Sequence, residues 1–139
     1  MTLKVEQTAD LTEPHAIRRR VFIEEQGFTE AEEWDDLDSV SVHLVVRDGG
    51  APVASARLIQ DGGTGKIGRI CVLARARGTG LGAKLVRAGM DLLRERGAPR
   101  AVLDAQTRAM GFYEKLGFTA EGADFDDGGV PHRRMTCPL

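Results

Sequence analysis

The chain has 139 residues, a net charge of −2 and a hydrophobic fraction of 42%. This length is typical of one domain, and a core of this size holds without disulfides or metals. Cys71 and Cys137 lie far apart without CxxC spacing, which argues against a disulfide framework or a structural zinc site. No apolar run approaches the roughly 20 residues that span a bilayer, and a signal-peptide pattern is missing. We therefore expect one cytoplasmic domain over residues 1–139, with no metal and no membrane partner.

Charge is distributed unevenly along the chain. Residues 1–64 carry 6 Lys/Arg against 13 Asp/Glu, residues 65–108 carry 10 against 3, and residues 109–139 carry 3 against 5. A basic middle between acidic ends indicates an anionic ligand at the centre. Nucleic acid is not expected, because the basic segment has no aromatic residue on which bases could stack. A compact polyphosphate fits the pattern better.

The front half of the chain predicts a helix and an antiparallel meander. Leu3 and Val5 alternate with polar neighbours as a first strand would, and a helix is expected from Pro14 to Gln26, ending at Gly27. The segment 30–38 is acidic and irregular. Three strands joined by glycine turns follow, at residues 42–46, 53–59 and 66–73.

The back half predicts a parallel strand–helix–strand unit. After the loop 75–80, helices are expected over 81–96 and 107–116, and strands over 101–103, 118–121 and 132–137. The crossover from the third meander strand through the first of these helices should be right-handed. The expected fold is α/β, with a mixed, mainly antiparallel central sheet flanked by helices.

The segment from Arg75 to Lys84 carries the strongest chemical signal. It reads Arg-Ala-Arg-Gly-Thr-Gly-Leu-Gly-Ala-Lys, follows a strand and opens a helix. Glycines let backbone N–H groups approach a ligand closely, and a helix N-terminus adds about half a positive charge. With two arginines and a lysine beside it, this loop is expected to bind a diphosphate.

Three other interpretations of the loop are a Walker A loop, a dinucleotide fingerprint and a simple turn. A Walker A loop is excluded, because Ala83 stands where the second glycine belongs and Leu85 replaces Ser/Thr. A relaxed dinucleotide fingerprint, GxGxxA, matches Gly78, Gly80 and Ala83, with Asp104 as the ribose-binding acid. That match follows an antiparallel meander rather than a parallel sheet. An NAD-binding oxidoreductase stays an alternative, as does a simple turn.

Two motifs resemble the GNAT acetyltransferase superfamily. Arg77-x-x-Gly80-x-Gly82 resembles the [Q/R]xxGx[G/A] pattern with which that family wraps the diphosphate of CoA. Downstream, the segment from Phe112 to Phe118 resembles the family's FYxxxGF helix–strand junction. The resemblance extends over essentially the whole chain, and residues 21–27, 35–43, 104–106 and 129–135 are similar to the ElaA/YjcF-type branch. Ala74 and Ala76 depart from the family's usual proline and aromatic without removing a backbone donor.

The resemblance implies transfer of an acetyl group from acetyl-CoA to a primary amine, by direct attack in a ternary complex. Tyr113, the only tyrosine, would then be the general acid for the leaving thiolate, although a packed aromatic is the alternative. Arg108 or Lys115 would reach the 3′-phosphate. The implied CoA-binding residues are Cys71, Val72, Leu73, Arg77, Gly78, Thr79, Gly80, Leu81, Gly82, Gln106, Phe112 and Tyr113.

A base or a water chain must take the proton of the attacking amine. Glu25 is the candidate catalytic base, and Glu33, Asp35, Asp36 and His43 are alternatives. The eight acids between Glu24 and Asp38 indicate either a solvated loop or a mouth for a cationic amine.

Two further side chains have expected roles near this site. We expect His132 to line the same cleft, and a strand histidine with satisfied hydrogen bonds is the alternative. Cys71, inside an apolar strand, should be an unreactive thiol.

The resemblance implies a small-molecule or lysine-type amine acceptor, expected to be cationic, which the sequence does not identify. A CoA-binding sensor without catalysis is the alternative to an enzyme. Dimers are common in the family, so a homodimer is compatible with the sequence.

Overall fold

Residues 3–139, which a computed structural model describes, form a seven-stranded sheet in the order β1-β2-β3-β4-β5-β7-β6. Within these residues the β4–β5 pair is parallel and the other neighbouring strands are antiparallel. The fold expected from the sequence is therefore confirmed. The strands are β1 Val5–Thr8, β2 Val42–Asp48, β3 Ala51–Asp61, β4 Thr64–Val72, β5 Arg100–Gln106, β6 Thr119–Asp127 and β7 Val130–Pro138.

Helices cover both faces of the sheet. Alternation along β2 divides the core: Leu44 and Val46 belong to the larger cluster, which packs against α3, whereas Val45 faces Ile17 and Val21 on the other side. The helices are α1 Thr12–Arg18, a π-helical segment Arg19–Glu25, α2 Glu30–Glu33, α3 Leu81–Glu95 and α4 Met110–Glu114, with short 3-10 turns at Asp38–Val40, Ala74–Ala76 and Thr107–Ala109.

The early helix differs from its sequence-based expectation in its second half. It ends at Gly27, which has a φ of +82°, but from Arg19 onward the backbone is π-helical, and the Gln26 N–H reaches the Val21 carbonyl at 3.0 Å. A π-helix has more residues per turn than an α-helix and is frequent at functional sites. Phe22 in this segment and Gln26 directly after it both line one cavity.

The other elements lie close to their predicted positions, with shifted ends. The acidic segment contains the short helix α2, held by a capping box in which Thr29 and Glu32 exchange side-chain and backbone hydrogen bonds. The helix expected over residues 107–116 is a 3-10 turn followed by α4. Strand β6 extends to Asp127 and β7 begins at Val130, so both strands of this hairpin are longer than the sequence pattern predicts.

Candidate active site

The site lies where strands β4 and β5 separate. Their pairing covers Thr64–Arg100, Gly65–Ala101 and Lys66–Val102, and no later residue of either strand is paired with the other in the described chain. Beyond Lys66 the backbone groups of β4 that point away from β3 face an opening rather than a partner strand. A cavity of about 260 Å³ occupies this opening, with Ile67, Tyr113 and His132 in its wall.

A bulge in β4 shapes the wall of the cavity. Ser55 pairs with Cys71 and Arg57 pairs with Gly68, so Arg69 and Ile70 together face one residue of β3. Arg69 has a φ of +50°, a left-handed conformation that is uncommon for a residue with a side chain. Bulges re-aim side chains, and this one brings Arg69 Nε to 2.9 Å from Glu33 Oε2.

The glycine loop ends at the N-terminus of α3, as expected. Gly78 and Gly80 have φ values of +76° and +83°, which explains why glycine is needed at these two positions. No side chain within the described residues caps the helix at Gly80, so the first backbone N–H groups of this 15-residue helix are available to an anion. Thr79 closes the turn by donating its hydroxyl proton to the Ala76 carbonyl at 2.6 Å.

Arg77 joins this loop to the π-helical segment. Its guanidinium contacts both carboxylate oxygens of Glu25, with Nη1–Oε2 at 2.6 Å and Nη2–Oε1 at 2.7 Å, and its Nε donates to the Val72 carbonyl at 2.9 Å. The hydrogen bonds from Arg77 lower the pKa of Glu25. Glu25 does not line the cavity, so this geometry does not favour the role of base expected from the sequence.

Tyr113 lies in the wall of the cavity on α4. Burial raises the pKa of its phenol to about 12, so the group is a neutral proton donor at physiological pH. Phe118 and Phe112 pack edge-on against the ring, at centroid distances of 6.1 Å and 5.0 Å. Phe112 itself is 40% exposed and lies against Gly82, where an added Cβ would be 3.3 Å from the Phe112 ring.

The end of β4 supplies backbone rather than side-chain chemistry. Burial raises the pKa of the Cys71 thiol to about 12, and its sulfur lies 3.4 Å from the Ser55 hydroxyl, in agreement with the expectation of an unreactive cysteine. Its side chain packs with Ile17 and Val21 on one face, while Val72 packs against the α3 side. Leu73 follows directly and donates its N–H to the Val53 carbonyl at 2.8 Å.

The far wall of the cavity is built from β5 and β7. Gln106 and His132 are directly opposed in this antiparallel pair and both line the cavity. The Gln106 side-chain amide donates to Gln26 Oε1 at 3.0 Å, which ties the end of β5 to the end of the π-helical segment. The expectation that His132 lines the cleft is confirmed.

The acidic segment is anchored by buried arginines. Arg18 is 1% exposed and contacts Glu33 Oε2 and Asp38 Oδ1, each at 2.8 Å. Arg57 contacts Asp35 Oδ1 at 2.8 Å and Asp38 Oδ1 at 3.2 Å. Although burial opposes it, the hydrogen bonds from Arg18 and the other neighbours lower the pKa of Asp38 well below its ordinary value. Glu33 is thus ion-paired with Arg18 and Asp35 with Arg57, which weakens both as candidate bases.

Other residues singled out from the sequence lie outside the cavity wall. His43 is buried on β2, and its Nε2 is 2.9 Å from the Asp38 carbonyl oxygen. Lys84 donates to the Leu3 carbonyl. Asp36, Arg108 and Lys115 are exposed.

Asp104, which would bind a ribose under the dinucleotide interpretation, is already in ion pairs. Asp104 contacts Lys66 and Arg134, each at 3.1 Å. With a mainly antiparallel sheet as well, the structure lacks the parallel architecture on which that interpretation depends.

Residues 3–139 carry neither a membrane-spanning helix nor a cluster of metal ligands. No helix there is long and apolar enough to cross a membrane. In the same residues, no cluster of three or more His, Cys, Asp or Glu side chains could hold a metal ion.

Comparison with known proteins decides the family. A model of the acetyltransferase (GNAT) family matches residues 9–118, which include the glycine loop and the FYxxxGF junction. This chain is a GNAT acetyltransferase. Its activity is therefore acyl transfer, and its donor is a CoA thioester.

Individual relatives place this acetyltransferase in the ElaA/YjcF-type branch. It is 39% identical over 120 residues to the uncharacterized N-acetyltransferase YjcF of Bacillus subtilis, covering 86% of each chain. An acyl-CoA N-acyltransferase from Pseudomonas aeruginosa superposes with a TM-score of 0.86 and 27% identity, over 98% of this chain and 99% of that one. ElaA from Escherichia coli superposes over the same shares with a TM-score of 0.87 and 21% identity, which shows the common fold.

Sequence reasoning missed part of the cavity wall. Phe28 and Asp127 come from distant segments, and Phe28 packs so closely against Gly128 that a Cβ there would lie 2.2 Å from its ring. No local sequence pattern predicts such a contact. An arginine at position 18 between the apolar positions Ile17 and Val21 was the available signal for the buried ion-pair cluster.

Proposed function

We propose that this GNAT protein transfers the acetyl group of acetyl-CoA to the primary amine of a cationic acceptor, by direct attack in a ternary complex. One observation carries the proposal. The opening between β4 and β5 contains a cavity with Tyr113 in its wall and follows a strand that leads into the glycine loop. The thioester end of the donor and the acceptor amine would meet in this cavity.

The donor would lie along the free edge of β4. Backbone groups of the strand end, with Val72 as the first choice, would pair with the pantetheine arm as an added strand does. The N–H groups at the start of α3 would bind the diphosphate, with the positive end of a 15-residue helix behind them. Phe112 lies against Gly82, on the side toward which a Cβ at this position would project.

The acceptor would approach from the side of α2 and the β6–β7 hairpin. Four charged side chains at the cavity are paired: Lys66 with Asp104 and Arg69 with Glu33. The carboxylates of Glu32 and Asp127 form no ion pair with any cation in residues 3–139 of the structure. Two unpaired negative charges at its wall would attract an acceptor that carries positive charge.

Tyr113 would be the general acid. Attack of the amine on the thioester carbonyl forms the C–N bond and breaks the C–S bond, and the phenol proton passes to the leaving sulfur. Burial raises the pKa of this phenol to about 12, so the group holds its proton at neutral pH and can donate it to the thiolate as that forms.

A CoA-binding sensor is the competing class, and turnover separates it from an enzyme. The protein would be mixed with acetyl-CoA and each of a panel of amines: polyamines, lysine, lysine peptides, amino sugars and uncharged primary amines. Thiol release and acetylated amine would be quantified together. We expect the two products in equal amounts, with cationic amines preferred. Tight acetyl-CoA binding without consumption by any amine would establish the sensor instead.

A further inference from the structure

Within the described residues, one ring nitrogen of His132 is hydrogen-bonded and the other is free. It is 7% exposed, on β7, and its ring lines the cavity together with Tyr113. Its Nδ1 lies 2.8 Å from the Val130 carbonyl oxygen. A carbonyl oxygen can only accept, so Nδ1 carries a proton and donates it.

This hydrogen bond fixes the tautomer of a neutral imidazole. With the proton on Nδ1, the lone pair is on Nε2, and Nε2 makes no hydrogen bond within the described part of the chain. Stacking against Phe125, at a centroid distance of 5.9 Å, holds the ring plane. A general base requires a ring nitrogen that is free to accept a proton. The hydrogen bond at the other ring nitrogen holds it in a fixed orientation.

Most carboxylates near the cavity are already engaged by other groups. Glu33 and Asp104 are held in ion pairs with Arg69 and Lys66, and Glu25 lies outside the wall in its pair with Arg77. Glu32 accepts from the Thr29 N–H at 2.8 Å in its capping box. Around His132, the charged groups facing the cavity are thus two ion pairs and the carboxylates of Glu32 and Asp127.

We propose that His132 Nε2 is the general base that takes the proton from the attacking amine. The inference rests on the proposed function. The amine nitrogen attacks the thioester carbon while its N–H proton passes to Nε2, and the C–S electron pair leaves with sulfur, which takes the phenol proton of Tyr113. The imidazolium then loses its proton to solvent and the phenolate regains one, so that amine and acetyl-CoA become amide and CoA thiol with both side chains restored.

The test uses His132→Asn, because the Asn side-chain amide can retain the donor to the Val130 carbonyl while removing the base. We expect kcat to fall about 100-fold, in the usual range for loss of a general base. Affinity for CoA should change less than threefold. The acid limb of the wild-type kcat–pH profile should disappear, and imidazole in solution should restore part of the turnover of His132→Ala. A loss of packing alone would give neither of these last two results.

His15→Gln is the matched control, because His15 lies on α1 and does not line the cavity. Its turnover and pH profile should follow the wild type. Wild-type turnover that persists within threefold in His132→Asn would overturn the inference and leave the proposed function standing. Absence of wild-type turnover with every amine would overturn both.

A measurement on the wild type covers the case in which the variant does not fold. The chain has three histidines, so nitrogen-15 NMR can assign His132 and read its tautomer directly. We expect a proton on Nδ1 and an unprotonated Nε2 at neutral pH. A neutral ring with the proton on Nε2 would contradict the role of base.

Discussion

Glu25 and Arg77 form a bidentate ion pair that joins the π-helical segment to the glycine loop, with both oxygen–nitrogen distances at 2.7 Å or less. The guanidinium also holds the Val72 carbonyl, so one side chain connects the early helix, the end of β4 and the loop. Glu25 was the base expected from the sequence. Its pair with Arg77 and its place outside the cavity wall favour a positioning role over that of base.

Replacing Glu25 by Gln should therefore have a small effect on chemistry. We expect kcat to stay within about fivefold of the wild type with an unchanged pH profile, because the carboxylate takes no proton. The affinity for CoA should change more than kcat does, since Arg77 loses its partner. Steady-state kinetics across pH would measure both. A loss of about 100-fold in kcat would restore Glu25 as the base.

Tyr113→Phe removes one hydroxyl and keeps the aromatic packing against Phe118. We expect turnover to fall at least about tenfold, because the leaving thiolate loses its proton donor. The CoA affinity should stay within a few fold, as measured by calorimetry. Unchanged turnover with a good acceptor would remove the acid role and leave Tyr113 as a packed aromatic.

Two glycines of the loop should respond differently to alanine. Gly80→Ala places a side chain at a φ of +83°, which strains the backbone and should weaken CoA binding about tenfold. Gly82→Ala lies in the helix, and its Cβ meets only the edge of the Phe112 ring at 3.3 Å, so binding should stay within about threefold. Calorimetric titration with CoA would compare the two. Equal losses in both variants would contradict this account of the loop.

The unpaired carboxylates of the cavity should select for acceptor charge. Asp127→Asn should raise KM about fivefold for a cationic amine, which corresponds to loss of roughly 1 kcal/mol from one solvated charge contact. Glu32→Gln should do the same, since Gln also completes a capping box. Neither change should affect an uncharged amine. Asp124→Asn, on β6 outside the cavity wall, is the control; a KM rise of the same size in it would refute a local effect.

The buried ion-pair cluster should be essential for stability rather than for catalysis. It consists of Arg18, Arg57, Glu33, Asp35 and Asp38. Arg18→Met removes the buried cation that contacts both Glu33 and Asp38 and leaves them only Arg69 and Arg57. Removal of one partner from a buried ion pair costs about 3–5 kcal/mol. For a chain of this length, Tm should fall by roughly 10 °C or more. Arg19→Met removes the exposed pair with Glu30 and a cation–π contact with Trp34, and should cost about 1 kcal/mol or less. Similar Tm values for the two variants would argue against the cluster.

Much of the fold was readable from sequence, and the reasons are local. Glycines at 27, 80 and 97 end or begin helices where predicted, because each takes a positive φ there. The loop and the FYxxxGF junction were found as motifs. The β4 bulge at Arg69, the π-helical turn and the contact of Phe28 with Gly128 were not, because each depends on neighbours remote in sequence. His132 was placed at the cleft, but its tautomer required the Val130 carbonyl to be seen.

The most direct test of the central claim, that the loop from Arg77 to Gly82 binds the CoA thioester, is thermal stability with acetyl-CoA, CoA, NAD and ATP, each at about 1 mM. For a Kd near 10 μM, stabilisation should be about 2.7 kcal/mol, a rise of several degrees in Tm at this chain length. We predict that rise with acetyl-CoA and CoA and none with NAD or ATP. No rise with CoA, or a rise with NAD, would contradict the account.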